Sequence, residues 1–236
     1  MSRPIVEILA FAALAVSSVR ATDAGWEIAR PGWQYVFPRD HGNHPAFKTE
    51  WWYFTGNLHD DSGQDFGCQL TFFRIGVIPP GEKLKATSRF VVRNIAMVHF
   101  AISDLGARKF HFQQLLSRGA YGEAGFGDGG RLAWLDQCSL HLESDGKLHL
   151  IGHVEGQSLD LALSSTKPPI IHGIDGLSRK GDGPGHASHY YSFTRLATVG
   201  TLGVGGHTHP VRGESWFDHE WATNQLGPDQ IGWDWL

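Results

Sequence analysis

The chain has 236 residues, 41% of them hydrophobic, and a formal net charge of −4. This composition allows a proper core in one large β domain or two small ones, and it offers neither a basic face for nucleic acid nor an acidic tail. Nine tryptophans, fourteen phenylalanines and thirty glycines are unusual, and so many glycines favour the tight turns of an all-β chain.

The first 21 residues have the pattern of an export signal. Arg3 gives a basic start, residues 5–16 are mostly apolar, and the segment ends in Val-Arg-Ala at residues 19–21. The apolar run is too short to span a bilayer. We therefore predict a signal peptide over residues 1–21 and a periplasmic or secreted mature chain that begins near Thr22. An uncleaved N-terminal helix is the alternative.

After the signal, short apolar or alternating runs recur between turn residues, which is the pattern of a β barrel or sandwich. Residues 60–63 and 144–146 have hairpin-turn sequences. The long connections 117–131 and 164–187 suit binding elements, mobile covers or solvated linkers. The predicted strands are Glu50–Leu58, Phe66–Ile75, Asn94–Ser103, Lys109–Leu116, Leu132–Trp134, Ser139–Glu143, Lys147–His153, Ser158–Leu163, His189–Leu196, Val211–Asp218 and Ile231–Leu236.

The two cysteines, Cys68 and Cys138, both fall in predicted strands. In an oxidising compartment they could form a disulfide. Cysteines in strands are as often buried thiols that behave as small hydrophobes. The sequence leaves both alternatives open because it does not give the Cα separation.

Several familiar motifs fail on their context. Residues 125–130 match G-x-G-x-x-G but neither follow a clear strand nor open a helix, so a dinucleotide cofactor is not expected. Residues 219–223 begin like H-E-x-x-H, yet Thr223 stands where the second histidine is needed. His207 and His209 share a strand face without a third ligand nearby, so we expect no metal site there. The chain also has no G-x-S-x-G for a serine hydrolase.

The stretch EWWYFTGNL, Glu50–Leu58, places four aromatic side chains behind a carboxylate. Alternate strand residues share a face, so Glu50 lies with Trp52 on one face, while Trp51 and Tyr53 lie on the other. Glu50 is thus an acid on an apolar face. Unless it lies at the mouth of the strand, burial is expected to raise its pKa.

A second aromatic stretch, SWFDHEW at Ser215–Trp221, is crowded with acids. The same alternation puts Trp216, Asp218 and Glu220 on one face, opposite Phe217, His219 and Trp221. Asp218 is then an acid beside a tryptophan in an otherwise buried run. Apolar surroundings can keep such a carboxyl neutral near pH 7, where it can act as a general acid.

Three further residues have open roles. His99 lies in a segment that is apolar on both faces, where a hydrogen-bonded core histidine is commoner than a catalyst. Tyr190 and Tyr191 either pack in the core or orient a ligand or a water.

Because several strands are apolar on both faces, we expect the sheet to be covered outside as well, as by a second domain. The apolar run 232–236 either closes the sheet or begins a half that the sequence lacks, and we favour the second interpretation.

Five segments in a fixed order resemble the family of carotenoid 1,2-hydratase and the secreted AttH-like proteins. They are EWWYFTGNL at 50–58, AISDL at 101–105, HGIDGLSRKGDGPGHASHYYSFTRL at 172–196, SWFDHEWATNQL at 215–226 and QIGWDWL at 230–236. The resemblance implies two lipocalin-like antiparallel β barrels. The first would cover residues 22–222, and residues 223–236 would begin an incomplete second barrel.

The resemblance also implies a function. The hydratase of that family protonates an isoprenoid C=C bond and adds water to the carbocation. Asp218 is the expected acid, with His219, Tyr190 or Tyr191 orienting it or the water. The expected ligand-binding residues are Trp51, Tyr53, His99, Trp216 and Trp221.

We therefore expect an exported protein that holds a hydrophobic, isoprenoid-like molecule in a barrel cavity and hydrates, isomerises or cyclises it, needing no cofactor. The substrate could be membrane-derived, and the oligomeric state is left open. One alternative is a non-catalytic lipocalin-type carrier. Another is an interaction domain with a solid core, in which Asp218 is merely salt-bridged, for instance to Arg195 or Arg212.

Overall fold

The computed structural model describes residues 22–83, 90–227 and 229–232. The predicted signal peptide lies outside these residues, and so does most of the last predicted strand; Ile231 and Gly232 are not in a strand. Short 3₁₀ helices occur at Arg39–His41 and Ala120–Gly122. The strands of this part of the chain are β1 Thr22–Asp23, β2 Trp26–Glu27, β3 Thr49–Asp60, β4 Asp65–Gly76, β5 Asn94–Asp104, β6 Lys109–Ser117, β7 Ala124–Phe126, β8 Arg131–Leu135, β9 Cys138–Leu142, β10 Leu148–Val154, β11 Gln157–Ser165, β12 Ile170–Ile171, β13 Ser178–Arg179, β14 Ala187–Val204 and β15 His207–Ala222.

The main sheet is antiparallel and has the order β6-β5-β4-β3-β15-β14-β11-β10-β9-β8-β7. It curls into a nearly closed barrel, which confirms the predicted all-β fold with an antiparallel barrel. Both predicted hairpin turns are present between neighbouring strands, and each contains a glycine with positive φ, Gly63 and Gly146. Within the described residues, no helix has the length and apolarity needed to cross a membrane.

Strand β14 is longer than predicted and changes partners along its length. Residues 196–203 pair with β11, whereas residues 187–192 pair with β12 and β13, and the register shifts between Phe193 and Leu196. The predicted strand ended at Leu196, whereas the strand in the structure continues to Val204. Gly200 fits within this strand because it has no side chain. A Cβ at this position would lie 2.0 Å from Asp160 O on β11, so only glycine allows the two backbones to approach so closely.

The interior face of the barrel is filled by large side chains. Phe54 stacks on Phe217 at 4.3 Å between ring centroids, and Trp52 stacks on His219 at 4.7 Å. These pairs are directly opposite in the β3–β15 ladder, so the predicted face assignment of both aromatic stretches is confirmed. The opposite faces of the same strands are left to form the outer surface.

Cys68 and Cys138 are both free and buried. Of the two alternatives, the buried thiol is the one found. Burial raises the pKa of Cys68 to about 12 and that of Cys138 to about 11, so neither thiol is reactive near neutral pH.

Candidate active site

A pocket of about 330 Å³ lies on the outer face of the sheet, over β3, β4, β14 and β15. Its walls follow from strand register. Trp51 lies opposite Phe73 on β4 and opposite Glu220 on β15, while Tyr53 lies opposite Asp218. We expected the ligand cavity inside the barrel, but this aromatic pocket is outside, on the face that the packed interior leaves free.

Asp218 is the central acid of this pocket and is only 2% exposed. Its Oδ1 accepts hydrogen bonds from Tyr190 Oη at 2.8 Å, from Trp216 Nε1 at 2.7 Å and from Ser192 Oγ. Burial raises the pKa of Asp218; the three donors act in the opposite direction but do not outweigh it. The carboxyl therefore keeps its proton at a higher pH than an ordinary aspartic acid.

A second acid, Glu220, lines the same pocket two residues further along β15. Its Oε1 lies 3.1 Å from Lys180 Nζ and accepts a hydrogen bond from Gln225 Nε2 at 3.1 Å. Burial raises the pKa of Glu220 while the Lys180 ammonium opposes it. Lys180 also lies over the Tyr190 ring, 5.3 Å from its centroid. This end of the pocket is thus polar and charged, in contrast to the aromatic wall.

His172 and Ser192 complete the surroundings of Asp218. The His172 ring stacks on Tyr190 at 3.9 Å, and its Nε2 lies 2.6 Å from Ser192 Oγ. Sequence reasoning assigned neither residue, and it also missed Lys180. Ser192 could have been found, because it shares a strand face with Tyr190; the other two reach the site through long-range pairing that leaves no local pattern.

His219, Tyr191 and Trp221 lie on the other side of the sheet from Asp218. His219 Nε2 is 2.9 Å from Glu50 Oε1, and His219 Nδ1 is 3.2 Å from Tyr191 Oη. His219, Tyr191 and Trp221 are all fully buried in the barrel. Trp221 stacks on His44 at 3.7 Å. The structure therefore brings Asp218 together with the outer-face candidates and separates it from these three. The outer-face candidates are Tyr190, Trp51, Tyr53 and Trp216.

Glu50 belongs to this interior network, and the expectation of a raised pKa was wrong. Burial acts to raise the pKa of Glu50, but His44, His219 and Arg74 outweigh it and hold the pKa below its usual range. Arg74 Nε lies 3.1 Å from Oε2, and His44 Nδ1 lies 2.7 Å from Oε1. The expectation failed because these partners come from other segments, which the alternation within one strand cannot reveal.

The interior network also contains the one group of described residues with metal-ligand geometry, His44, Glu50 and His219, whose ligand atoms lie within 4.8 Å of one another. Both histidines hydrogen-bond the same oxygen of Glu50, at 2.7 and 2.9 Å, and the guanidinium of Arg74 contacts the other oxygen. A cation here would face that fixed positive charge. We therefore interpret the group as a buried ion-pair network that supports the fold.

His99 lies on the outer face, at the edge of the pocket rather than in it. Its Nε2 is 3.0 Å from Gln114 Oε1, and its ring lies between Phe112 and the pocket residue Phe73. His99 is half-buried and its hydrogen bond with Gln114 is exposed to solvent, so it is not a core residue. It can contact a ligand only where that ligand extends over β5.

The alternative in which Asp218 is salt-bridged to Arg195 or Arg212 is wrong. Arg195 Nε lies 2.9 Å from Glu214 Oε1, and Arg212 pairs with Asp61. Both pairs are at the surface, so neither arginine neutralises the buried acid.

Comparisons with known proteins agree with this fold. The model of the AttH-like family matches residues 28–236. The crystal structure of a candidate AttH protein from Nitrosomonas europaea has 33% sequence identity and a TM-score of 0.75, covering 85% of this chain and 59% of that chain. Kievitone hydratase from Nectria haematococca has 12% identity and a TM-score of 0.57, covering 80% of this chain and 52% of that chain. This chain thus spans less than two thirds of either structure. No curated protein matches its sequence.

Proposed function

The chain belongs to the AttH-like family, and on that premise we propose that its outer pocket binds a lipophilic, isoprenoid-like molecule on which Asp218 acts as a general acid. The reaction is a hydration, isomerisation or cyclisation that begins at a C=C bond. One observation carries the proposal: a buried acid with three hydrogen-bond donors on a single oxygen faces an aromatic pocket.

The first step needs a neutral acid in a site with little water. Because the three donors all bond Oδ1 of Asp218, the acid hydrogen is assigned to Oδ2. Burial raises the pKa of this carboxyl and so favours the protonated form. Transfer of the proton to one alkene carbon breaks the O–H bond, forms a C–H bond and leaves a carboxylate and a carbocation.

The aromatic wall supports the charged intermediate. Trp51, Tyr53 and Phe73 line the pocket, and the faces of such rings stabilise a cation. Addition of water gives a protonated alcohol, whose extra proton returns to the Asp218 carboxylate. In an isomerisation the proton comes instead from a neighbouring carbon. In a cyclisation a second C=C bond of the ligand adds to the cation before that proton is lost. Each route restores the acid.

The likeness to a hydratase adds little to the chemical argument. Kievitone hydratase is a hydratase, but at 12% identity its likeness concerns the fold alone. The chemical argument therefore comes from the residues around Asp218. Export to the periplasm or secretion, and a membrane-derived substrate, remain part of the proposal, since they come from the pattern of residues 1–21.

A second candidate function is a non-catalytic carrier that uses the same pocket. Its supporting observation is the aromatic wall itself, formed by Trp51 and Phe73, which suits any apolar ligand of suitable size. A carrier does not need the acidity of Asp218. Asp218→Asn therefore separates the two candidates: it abolishes turnover by an enzyme, whereas a carrier variant still binds its ligand.

The decisive experiment follows deuterium. We would incubate the purified chain in D₂O with geraniol, farnesol and a bacterial lipid extract, and analyse the products by mass spectrometry. The proposal expects a product with deuterium bonded to carbon, which Asp218→Asn abolishes. Asp104→Asn is the matched control, because Asp104 is also a buried acid that accepts hydrogen bonds, from Gln64 and Ala107, away from the pocket. Equal turnover by Asp218→Asn excludes Asp218 as the acid, and binding without turnover supports the carrier.

A further inference from the structure

His172 reaches Asp218 through a single hydroxyl group. Its Nε2 lies 2.6 Å from Ser192 Oγ, and Ser192 Oγ in turn donates to Asp218 Oδ1. A serine hydroxyl has only one hydrogen to donate. Since that hydrogen goes to Asp218, the hydrogen between His172 and Ser192 must come from His172 Nε2. The two bonds together assign the tautomer of His172.

The fold holds His172 in this place from two sides. Strand β12, which ends at Ile171, pairs with β14, and the backbone N–H of His172 donates to Tyr190 O at 3.0 Å. The His172 ring then stacks on the Tyr190 ring with an angle of 17° between their planes. Tyr190 and Ser192 are two of the three donors to Asp218 Oδ1, so His172 contacts both without touching the acid.

We propose that His172 is a positioning residue for Asp218: it holds the Ser192 hydroxyl and the Tyr190 ring as donors to Oδ1, and so leaves Oδ2 as the oxygen that carries the acid proton. This inference rests on the proposed function of Asp218 as an acid. Its test does not, because the protonation of Asp218 can be measured without a substrate.

The three residues contain the members of a hydrolytic triad but in a different order. In a triad the acid bonds the histidine, and the histidine accepts the proton of the serine. Here the serine lies between the other two and directs its hydrogen to the carboxylate. Ser192 is 0% exposed and, unlike Asp218, does not line the pocket, so a substrate carbonyl has no access to its hydroxyl. The arrangement therefore orients an acid and does not activate a serine.

Other charged or titratable groups around Asp218 stay constant in the test. Tyr53 faces it from β3, and Glu220 follows it on β15. Lys180, from the segment after β13, is paired with Glu220, so their charges offset each other. A substitution at His172 or Ser192 removes none of these groups. His172 also lowers the pKa of Asp218 directly through its charge. Because Phe and Gln both remove that charge, the difference between His172→Phe and His172→Gln measures the effect of the N–H donor.

The experiment titrates the Asp218 carboxyl by ¹³C NMR in a chain labelled with [¹³C]aspartate, with the signal assigned from Asp218→Asn. Loss of a donor to a carboxylate favours its protonated form. Ser192→Ala is expected to raise the measured pKa of Asp218 by about one pH unit. His172→Phe keeps a stacked ring but removes the N–H, and about half of that rise is expected. His172→Gln restores an N–H donor and is expected to return most of the difference.

The chain contains a matched control pair. His141 Nε2 lies 3.0 Å from Ser139 Oγ, on β9 away from the pocket. Ser139→Ala and His141→Phe remove the same kind of bond and are expected to leave the pKa of Asp218 unchanged.

The deciding variant is His172→Phe, because His172 is half-buried and the substitution is compatible with the fold, whereas Ser192 is fully buried. A natively folded His172→Phe chain with an unchanged Asp218 pKa overturns the positioning role, even if Asp218→Asn still abolishes turnover. A raised pKa that His172→Gln restores supports the role, even if no alkene tested is turned over. The two proposals can therefore fail separately.

Discussion

Asp218 and His219 are neighbours in the chain, yet their side chains lie on opposite faces of one sheet. Oδ1 of Asp218 accepts its hydrogen bonds on the outer face, while Nε2 of His219 lies 2.9 Å from Glu50 Oε1 in the barrel. Tyr190 and Tyr191 divide in the same way, since Tyr190 donates to Asp218 and Tyr191 lies 2.7 Å from His41 Nδ1. The outer pocket and the interior network thus use opposite faces of the same strands, and they meet where Glu50 and Arg74 of the network also line the pocket.

The interior network predicts a large stability loss for Glu50→Gln. The change removes the carboxylate that faces Arg74, His44 and His219 and leaves a buried guanidinium without its ion-pair partner. Breaking a buried pair from one side typically costs about 3–5 kcal/mol. Urea unfolding followed by fluorescence measures the change. Glu214→Gln, which breaks the exposed pair with Arg195, is the control and is expected to have little effect.

Buried histidines predict a loss of stability in mild acid. Burial lowers the pKa of His41 and of His189 from the ordinary 6.5 to about 4. Between these values the unfolded chain binds more protons than the folded one, so the stabilisation present above pH 6.5 is lost as the pH falls towards 4. The raised pKa of Asp218 acts in the opposite sense, because its contribution is lost as the pH rises.

Because these effects oppose each other, the test compares the pH dependence of the free energy of unfolding between the wild type and single variants. The free energy of unfolding of the wild type, from urea titrations at several pH values, is expected to fall by on the order of a few kcal/mol across this window. His41→Asn and His189→Asn are each expected to flatten the dependence. His207→Asn, at an exposed position, is the control for the substitution itself. Parallel curves for all four chains contradict the assignment.

The pocket predicts that Trp51→Ala weakens binding of an apolar ligand. Trp51 is a half-buried wall of the pocket, so its removal deletes contact area with the ligand but little of the core. The affinity for the neutral fluorophore N-phenyl-1-naphthylamine is expected to fall at least about tenfold, with little change in Tm. Phe110→Ala removes an aromatic ring that is 69% exposed on β6 and is not part of the pocket. If Phe110→Ala has the larger effect, the ligand binds elsewhere.

The close approach of β3 and β15 predicts that Gly213→Ala is destabilising. A Cβ on Gly213 would lie 2.1 Å from Asn57 O and 3.0 Å from Leu58 Cα, and both are backbone atoms that cannot move aside alone. We expect a loss of about 1–3 kcal/mol in the free energy of unfolding. Gly81→Ala is the control, because nothing lies within 4 Å of a Cβ there. Equal stability of the two variants would show that the ladder adjusts without cost.

Much of the fold and part of the site could be predicted from strand alternation. The alternation correctly placed Asp218 and Trp216 on one face and His219 and Trp221 on the other, because it depends only on the geometry of a single strand. It could not say which face surrounds the barrel interior. That is why the ligand cavity was expected inside, whereas the aromatic pocket lies outside.

What the sequence missed depends on contacts between distant segments. Glu50 was given a raised pKa because His44 and Arg74 could not be placed beside it from the sequence. His172 went unassigned because its position depends on the pairing of β12 with β14, across a connection that has no periodic pattern. Long-range partners of this kind determine the chemistry of a buried acid more than its own strand does.

The change of partners along β14 has a consequence for how this protein can diversify. The half that pairs with β11 maintains the barrel, while the half that carries Tyr190 and Ser192 is flanked by β12 and β13. Residues 166–186 bring His172 to Asp218 and Lys180 to Glu220, and they join the sheet only through the short strands β12 and β13, which pair with β14 off the main strand order. Insertions or exchanges in this one connection can therefore give the acid new neighbours, and with them new ligands, while the barrel that holds it is inherited unchanged.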